Sequence, residues 1–366
     1  MKHTRRILSF ILVLVMVFAL CAPALADRSY EPYKYYLCTG DSIAVGYALT
    51  KDGSELYFDQ ETDDYSKIYD ENYIYRGYDF AVVPNAYHSL VAKALDAKLL
   101  QYARSGMRAV EMRYFLEGVY NEYDETRLWD NTYFDLDGNG FTLGDLDALN
   151  AMKDYKEAVK KTDIMSINVG SNDVFSVTLT VVMAQMVEDS SNDELKAVKD
   201  FLNKGGNLGA AFGKLIEYCQ NAGMMMKLMA LLTATLEKTY NQFVENFDAV
   251  IKKIYELNPD ITLVGVGVFN PFEYVTMSPD SKLDLSGIAK PVVDRINNHI
   301  KQLTYKYNNF YYADVVGTQT HPMSYSDRYF WEYFNLKAHP TIAGHEFIAQ
   351  QILSVLPERG TLPFTD

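Results

Sequence analysis

The stretch Tyr35-Tyr36-Leu37-Cys38-Thr39-Gly40-Asp41-Ser42 decides how the rest of the sequence is interpreted. A nearly continuous apolar run that ends at glycine is typical of a buried parallel strand followed by a tight turn. Ser42 then lies at the mouth of that strand. A serine hydroxyl attacks a carbonyl only when a base takes its proton, and the oxyanion that forms needs its own hydrogen-bond donors. These partners must come from other parts of the chain.

Further apolar runs alternate with helical patterns, which favours an α/β fold with a parallel sheet covered by helices on both faces. The predicted strands are Tyr35–Gly40, Lys98–Ala103, Asp163–Gly170, Ile261–Gly267 and Phe310–Val315. The predicted helices are Ala86–Ala97, Met107–Glu117, Asn241–Leu257, Ala289–Tyr305 and Thr341–Leu356.

The N-terminus is typical of a secretory signal peptide. A basic segment precedes the apolar run Ile7–Leu20, and Ala24-Leu25-Ala26 is a small-residue cleavage site. The apolar run is about fourteen residues long, shorter than the roughly 20 needed to span a bilayer. We therefore expect residues 1–26 to be removed, the mature protein to be secreted, and no stable membrane insertion after cleavage.

The remaining residues, 27–366, are predicted to form one domain with insertions near 48–83, 118–150 and 174–240. The first insertion is rich in Tyr, Asp and Glu, which is typical of a surface loop and also of a sugar-binding rim. The third is mostly helical and contains the run Met224–Met229. That run predicts either an ordinary packed helix or a lid over an acyl-chain pocket.

The mature chain is acidic and poor in cysteine. The formal charge is −14, and removing the three basic residues of the signal peptide takes it to −17. An acidic surface argues against nucleic acid or anionic lipid as a main partner. Cys38 falls inside the first strand and Cys219 inside a helical pattern, so two buried free thiols are expected rather than a disulfide.

Candidates for the partners of Ser42 follow other strands of the predicted sheet. His339, directly before Pro340 and the last helix, is a candidate base. Gly106 follows the second strand and can bring its backbone N–H close to a substrate. Asn172 follows the third strand and can offer a side-chain NH₂. Because loops at the carboxyl ends of parallel strands converge on one crevice, these residues are expected to meet Ser42.

These blocks together resemble the SGNH or GDSL hydrolases. The matching positions are Gly40-Asp41-Ser42, Gly106, Gly170-Ser171-Asn172-Asp173 and His339-Pro340, with Asn270-Pro271 after the fourth strand as a further likeness. The resemblance implies a flavodoxin-like, three-layer α/β/α fold and hydrolysis of carboxylic esters through an acyl-enzyme. It also implies Ser42 as nucleophile, His339 as base, and an oxyanion hole formed by Ser42, Gly106 and Asn172. No metal or organic cofactor is implied.

One departure concerns the acid that usually supports the histidine in this family. Three residues before His339 the chain has Leu336, where the family carries aspartate. Glu332, Asp327 or Asp314 could supply a carboxylate from a neighbouring loop, or a backbone carbonyl could serve a Ser–His dyad.

The predicted function is accordingly a secreted serine esterase acting on a small-molecule or polysaccharide ester. The alternatives are a carbohydrate O-acetyl esterase and a weakly active or non-catalytic binding member of the same fold. The Leu336 departure motivates the last of these.

The segment 135–147 resembles the start of a calcium-binding loop. Acidic residues alternate in Asp135-Leu136-Asp137-Gly138-Asn139-Gly140, but the twelfth position is Leu146, with Asp145 and Asp147 on either side. The closing bidentate ligand is therefore out of register. An Asp/Asn/Gly turn before a helix is the favoured interpretation, and a structural calcium site is the alternative.

Overall fold

Five parallel strands form the centre of the fold. The computed structural model describes residues 33–50, 52–55, 81–118, 152–188, 193–203, 208–221, 223–276, 285–324, 334 and 337–357. In chain order the strands are β1 (Tyr35–Gly40), β2 (Lys98–Gln101), β3 (Ile164–Asn168), β4 (Thr262–Val266), β5 (Val275–Thr276), β6 (Phe310–Ala313) and β7 (Met323–Ser324). The main sheet has the order β2-β1-β3-β4-β6, and β5 pairs with β7 in a separate small sheet.

The order of the main sheet is that of a flavodoxin-like, doubly wound fold. Strand β1 lies between β2 and β3, with Cys38 level with Gln101 and Gly40 level with Asn168. All four pairings in this sheet are parallel. The carboxyl ends of the strands therefore lie along one edge, and the loops that follow them are neighbours.

Helices cover both faces of the sheet. In chain order they are α1 (Ser42–Val45), α2 (Tyr87–Ala94), α3 (Ala109–Glu117), α4 (Tyr155–Lys161), α5 (Val177–Glu188), α6 (Asp193–Asn203), α7 (Leu208–Asn221), α8 (Met225–Leu257), α9 (Leu285–Gln302) and α10 (Ile342–Val355). Helices α3, α4, α8 and α9 pack on one face, whereas α2 and α10 pack together on the other. The predicted three-layer α/β/α architecture is confirmed.

The main core lies between the sheet and the long helix α8. Apolar residues at helical spacing, Phe243, Phe247, Val250, Ile251 and Ile254, put one stripe of α8 on the sheet. Side chains of β1 alternate between the layers. Leu37 enters this core, while Tyr36 and Cys38 contact Ser166 and Tyr87 on the opposite side.

The predicted elements are present with shifted ends. Strand β1 has the predicted bounds, and the other four strands of the main sheet end one or two residues before their predicted ends. The prediction that the third helix begins at Asn241 was wrong, because α8 begins at Met225 and includes most of the methionine-rich run. Helix α9 also begins four residues earlier than predicted, at Leu285, which places Pro291 in its second turn. Helix α4 was not predicted.

The insertion at 174–240 is helical where it is described, as predicted. Helices α5, α6 and α7 and the first half of α8 enclose a second apolar cluster that includes Met183, Phe212, Leu215 and Leu228. Met225 packs against this cluster, whereas Met226 is 87% exposed. The described residues between Tyr33 and Val355 form one compact unit.

Several predictions fall on residues outside the described part of the chain. These are the signal peptide at 1–26, most of the 48–83 insertion, the 118–150 insertion beyond Gly118, and the calcium-loop candidate at 135–147. Cleavage after Ala26 and secretion therefore stay predictions. Among the helices that the structure describes, none is both long enough and apolar enough to cross a membrane.

Candidate active site

The turn after β1 presents Ser42 at the carboxyl edge of the sheet. Gly40 has a φ of +152°, and a Cβ at this position would lie 2.4 Å from the backbone oxygen of Asn168. A side chain is therefore excluded. Asp41 caps the one-turn helix α1, because its Oδ1 accepts the N–H of Ile43 at 3.0 Å. Glycine and cap together place Ser42 as the first residue of α1.

The imidazole of His339 meets the Ser42 hydroxyl. His339 Nε2 lies 2.7 Å from Ser42 Oγ, although 297 positions separate the two residues in the chain. A bridge between Thr320 and Pro340 holds the loop before α10, and the Tyr47 ring packs against the imidazole with 4.2 Å between ring centroids. With the hydroxyl donating to Nε2, this is the arrangement in which histidine can take a serine proton.

The carboxamide of Asn172 lies beside the nucleophile turn. Asn172 follows β3 and opens a single π-helical turn, Asn172–Ser176. Its Nδ2 donates to Oδ2 of Asp41 at 3.3 Å, and its Oδ1 accepts the Ser176 hydroxyl at 2.9 Å. The amide is thus fixed next to the residue that precedes Ser42, where it can donate to charge developing on a carbonyl.

The loop that carries Gly106 is bound to both neighbouring loops. Gly106 lies in the turn between β2 and α3 with a φ of +70°. Two positions earlier, the Arg104 N–H donates to the Gly40 oxygen at 2.9 Å. At the start of α3, the Ala109 N–H donates to Oδ1 of the buried Asp173 at 2.8 Å. Asp173 therefore joins the Gly106 loop to the Asn172 loop.

This role of Asp173 was not identified from the sequence. The sequence feature that indicates this role is the position of Asp173 directly after Asn172, since a carboxylate there can reach the first N–H groups of a neighbouring helix.

Asp41 is a buried carboxyl group within the site. Its side chain is 1% exposed. Burial raises its pKa from 3.8 to about 7, and the hydrogen bond from the Ile43 N–H acts in the opposite direction. A charge next to the nucleophile therefore appears or disappears near neutral pH.

Two further side chains hold the end of α1, and neither was identified from the sequence. His88 Nδ1 lies 2.8 Å from the Ala44 oxygen, and its Nε2 accepts the Val83 N–H at 3.1 Å. This pair of contacts requires the neutral imidazole with its hydrogen on Nδ1. Burial lowers the pKa of His88 to about 4, in agreement with that form. Gln101 Nε2 donates to the same Ala44 oxygen at 3.1 Å.

Of the three acidic residues considered as support for His339, Asp314 is the one that the structure describes. Asp314 is exposed, and its Oδ1 accepts the Val316 N–H at 3.1 Å, which is the geometry of a turn-stabilising aspartate. The other positions considered, Asp327, Glu332 and Leu336, lie outside the described residues.

Metal and thiol chemistry can be assessed only in the described part of the chain. No group of three His, Cys, Asp or Glu side chains there lies close enough together to hold a metal ion. Cys38 and Cys219 are buried free thiols, as predicted. Burial raises the pKa of Cys38 to about 11, so this thiol stays protonated and is a poor nucleophile at neutral pH.

Comparisons with known proteins give distant likenesses in structure. No protein-family model matches the chain, and no curated protein matches it. Phospholipase A1 from Streptomyces albidoflavus NA297 is 15% identical, with 88% of this chain and 100% of that chain covered and a TM-score of 0.46. An extracellular lipase from Streptomyces rimosus is 16% identical, with 88% and 100% covered and a TM-score of 0.41.

A carbohydrate esterase family 2 enzyme from Corynascus thermopiles, which also carries a carbohydrate-binding domain, is 14% identical. The alignment covers 90% of this chain and 67% of that chain, with a TM-score of 0.39.

The four sequence blocks lie at the points of the fold where the sequence predicted them: after β1, after β2, after β3 and before α10. The chain therefore has the three-layer α/β/α fold predicted for it, and its blocks occupy the positions expected from the resemblance to the SGNH or GDSL hydrolases.

Proposed function

We propose that the protein is a serine hydrolase of the SGNH type that cleaves carboxylic esters. The observation that carries this proposal is the 2.7 Å contact between His339 Nε2 and Ser42 Oγ, with the Asn172 amide held beside it on Asp41. A nucleophile, a base and an oxyanion donor from three separate loops meet at one edge of the sheet. This is the minimum set for acyl transfer.

The reaction proceeds in two steps. Ser42 Oγ attacks the ester carbonyl while His339 takes the hydroxyl proton, and His339 then donates this proton to the leaving alcohol. A water molecule, deprotonated by His339, attacks the acyl-enzyme and releases the acid, and the proton returns to Ser42. The backbone N–H groups of Ser42 and Gly106 and the Asn172 amide stabilise the negative oxygen in both tetrahedral intermediates.

Hydrolysis of p-nitrophenyl acetate and butyrate tests the proposal. We expect Ser42→Ala to lower kcat at least about 10³-fold and Asn172→Ala to lower it about 10²–10³-fold. Ser354→Ala, which removes a serine from the exposed side of α10, serves as the control and should leave the rate unchanged.

A serine-reactive fluorophosphonate gives an independent measurement. Mass spectrometry should find the adduct on the peptide that contains Ser42 and not in the Ser42→Ala variant. A protein that hydrolyses these esters equally well without Ser42, or that is labelled elsewhere, would contradict the proposal.

A further inference from the structure

The Asn172 carboxamide can serve the proposed reaction in only one of its two orientations. With Nδ2 toward the reacting carbonyl, the amide donates a hydrogen bond to the oxyanion. Rotated by 180°, it presents Oδ1 there and repels the same charge. Rotation about the last side-chain bond of asparagine interconverts the two forms. The site therefore needs contacts that select one of them.

Two side chains make such contacts. The ionised Asp41 carboxylate only accepts hydrogen bonds, so its Oδ2 pairs with the NH₂ end of Asn172, at 3.3 Å. The Ser176 hydroxyl donates to Oδ1 at the other end, at 2.9 Å. Nδ2 carries two hydrogens, and the bond to Asp41 uses one of them. The second is the hydrogen proposed to reach the oxyanion.

Ser176 is well placed to act as a fixed donor. It is the last residue of the π-helical turn that Asn172 opens, four positions further on, so both side chains lie on one side of the turn. The Thr180 hydroxyl donates to the Ser176 carbonyl at 2.9 Å, and Thr178 and Thr239 hydroxyls meet at 3.0 Å between α5 and α8. The backbone of Ser176 is therefore anchored to the adjoining helix layer.

We propose that Ser176 is a positioning residue that holds the Asn172 carboxamide with its NH₂ group toward the oxyanion. This inference rests on the proposed function, because it assigns Ser176 a role in the oxyanion hole of that reaction. Ser176 acts through Asn172 and does not itself touch the substrate.

Steady-state kinetics with p-nitrophenyl acetate distinguish this role from a merely structural one. Loss of one neutral hydrogen bond that orients the donor should lower kcat about 3–10-fold in Ser176→Ala, with KM unchanged within twofold. Ser176→Thr keeps the hydroxyl and should restore most of the rate. Thr233→Val removes an exposed hydroxyl of α8 that likewise donates to the carbonyl four positions earlier, and it should behave like the wild type.

The double variant gives the sharpest kinetic result. In the Asn172→Ala background, Ser176→Ala should cause no further loss of kcat, since the group that it orients is already absent. If Ser176→Ala lowers kcat by the same factor in both backgrounds, or leaves the wild-type rate unchanged, the inference is wrong.

A second measurement does not depend on ester hydrolysis. In protein labelled with ¹⁵N-asparagine, the side-chain NH₂ signals of Asn172 are those missing from the Asn172→Ala spectrum. Ser176→Ala should shift these signals and speed their exchange with water, whereas Thr233→Val should not. Unchanged signals would overturn the inference even if the wild type hydrolysed no ester. An inactive wild type with the expected NMR change would refute the proposed function and leave Ser176 as the holder of this amide.

Discussion

Replacement of Asp41 by asparagine should stabilise the protein at alkaline pH and slow its reaction. Asp41 is 1% exposed, and burial raises its pKa from 3.8 to about 7. Asparagine has nearly the same shape and can still accept the Ile43 N–H, but it carries no charge to desolvate.

The size and sign of the effect follow from proton linkage. The pKa of Asp41 in the folded protein lies above its value in the unfolded chain. The stability that this shift contributes is therefore fully present below pH 3.8 and is lost as the pH rises through 7. A shift of about 3 units corresponds to about 4 kcal/mol. The variant loses the acceptor for Asn172, which costs about 1 kcal/mol at every pH. Asp41→Asn should thus be more stable by about 3 kcal/mol at pH 8.5 and slightly less stable at pH 4.

Urea unfolding at a series of pH values between 4 and 8.5 measures this difference. Asp314→Asn is the matched control, because Asp314 accepts the N–H two residues ahead in the same way but is exposed. The stability difference between wild type and Asp41→Asn should grow with pH, and at pH 8.5 it should exceed the difference between wild type and Asp314→Asn. Parallel curves for wild type and Asp41→Asn would refute the assignment of a buried, late-titrating carboxyl group. In Asp41→Asn, kcat should also fall, because an amide at position 41 no longer selects the NH₂ end of Asn172.

Three further outcomes are expected. Gly40→Ala should lower the free energy of unfolding, measured with urea, by about 3 kcal/mol or more, because the new Cβ would clash with the Asn168 oxygen. The control is Gly223→Ala, at a φ of +68° with no atom within 4 Å of the new Cβ, which should lower it by only about 1 kcal/mol. Asp173→Ala should lower kcat for p-nitrophenyl acetate roughly tenfold by releasing the start of α3 from the Asn172 loop, and an unchanged rate would contradict that coupling. His88 should contribute a loss of about 3 kcal/mol of stability between pH 6.5 and pH 4, because the unfolded chain protonates this residue first. The stability difference between wild type and His88→Asn should therefore change by about this amount over the interval, and a constant difference would count against it.

The central strands of the sheet were predictable because they are buried on both faces. Strands such as Ile164–Asn168 and Thr262–Val266 contain no charged residue and therefore lack the charged face of an amphipathic helix. Their ends were less predictable. Strand β2 ends at Gln101, level with Cys38, although β1 continues to Gly40 and the N–H groups of Tyr102 and Arg104 still donate to the Cys38 and Gly40 oxygens.

The start of α8 was missed for a different physical reason. Met225, Leu228, Leu231 and Leu232 pack in the cluster of the inserted helices, whereas Leu236 and Tyr240 pack against the main core. The apolar stripe therefore changes direction along the helix, and its first half looked like a separate segment of the insertion. Such a change of packing partner is set by tertiary structure, which a local pattern does not contain.

The encounter of Ser42 with His339 could be expected because parallel topology brings strand ends together, wherever the residues fall in the chain. The contacts that hold the neighbouring loops in place could not be predicted from the sequence. The Asp173 carboxylate reaches Ala109 across 64 positions, and His88 reaches Ala44 across 44. Both depend on how individual loops cross the edge of the sheet, which the positions of these residues in the sequence do not determine.

The layer beneath the nucleophile is polar yet uncharged at neutral pH, and this determines which groups can titrate in the site. Burial raises the pKa of Cys38 to about 11 and lowers those of His88 and His345 to about 4 and about 3. These groups hold the β1 turn and the start of α2 through hydrogen bonds without changing charge between about pH 5 and pH 9. Asp41 differs, because its pKa of about 7 falls inside that interval. The carboxylate that selects the NH₂ end of Asn172 is thus fully formed only above neutrality. If this selection matters, the rate should rise more steeply between pH 7 and pH 8 in the wild type than in Asp41→Asn, in which the side chain at position 41 has no proton to lose.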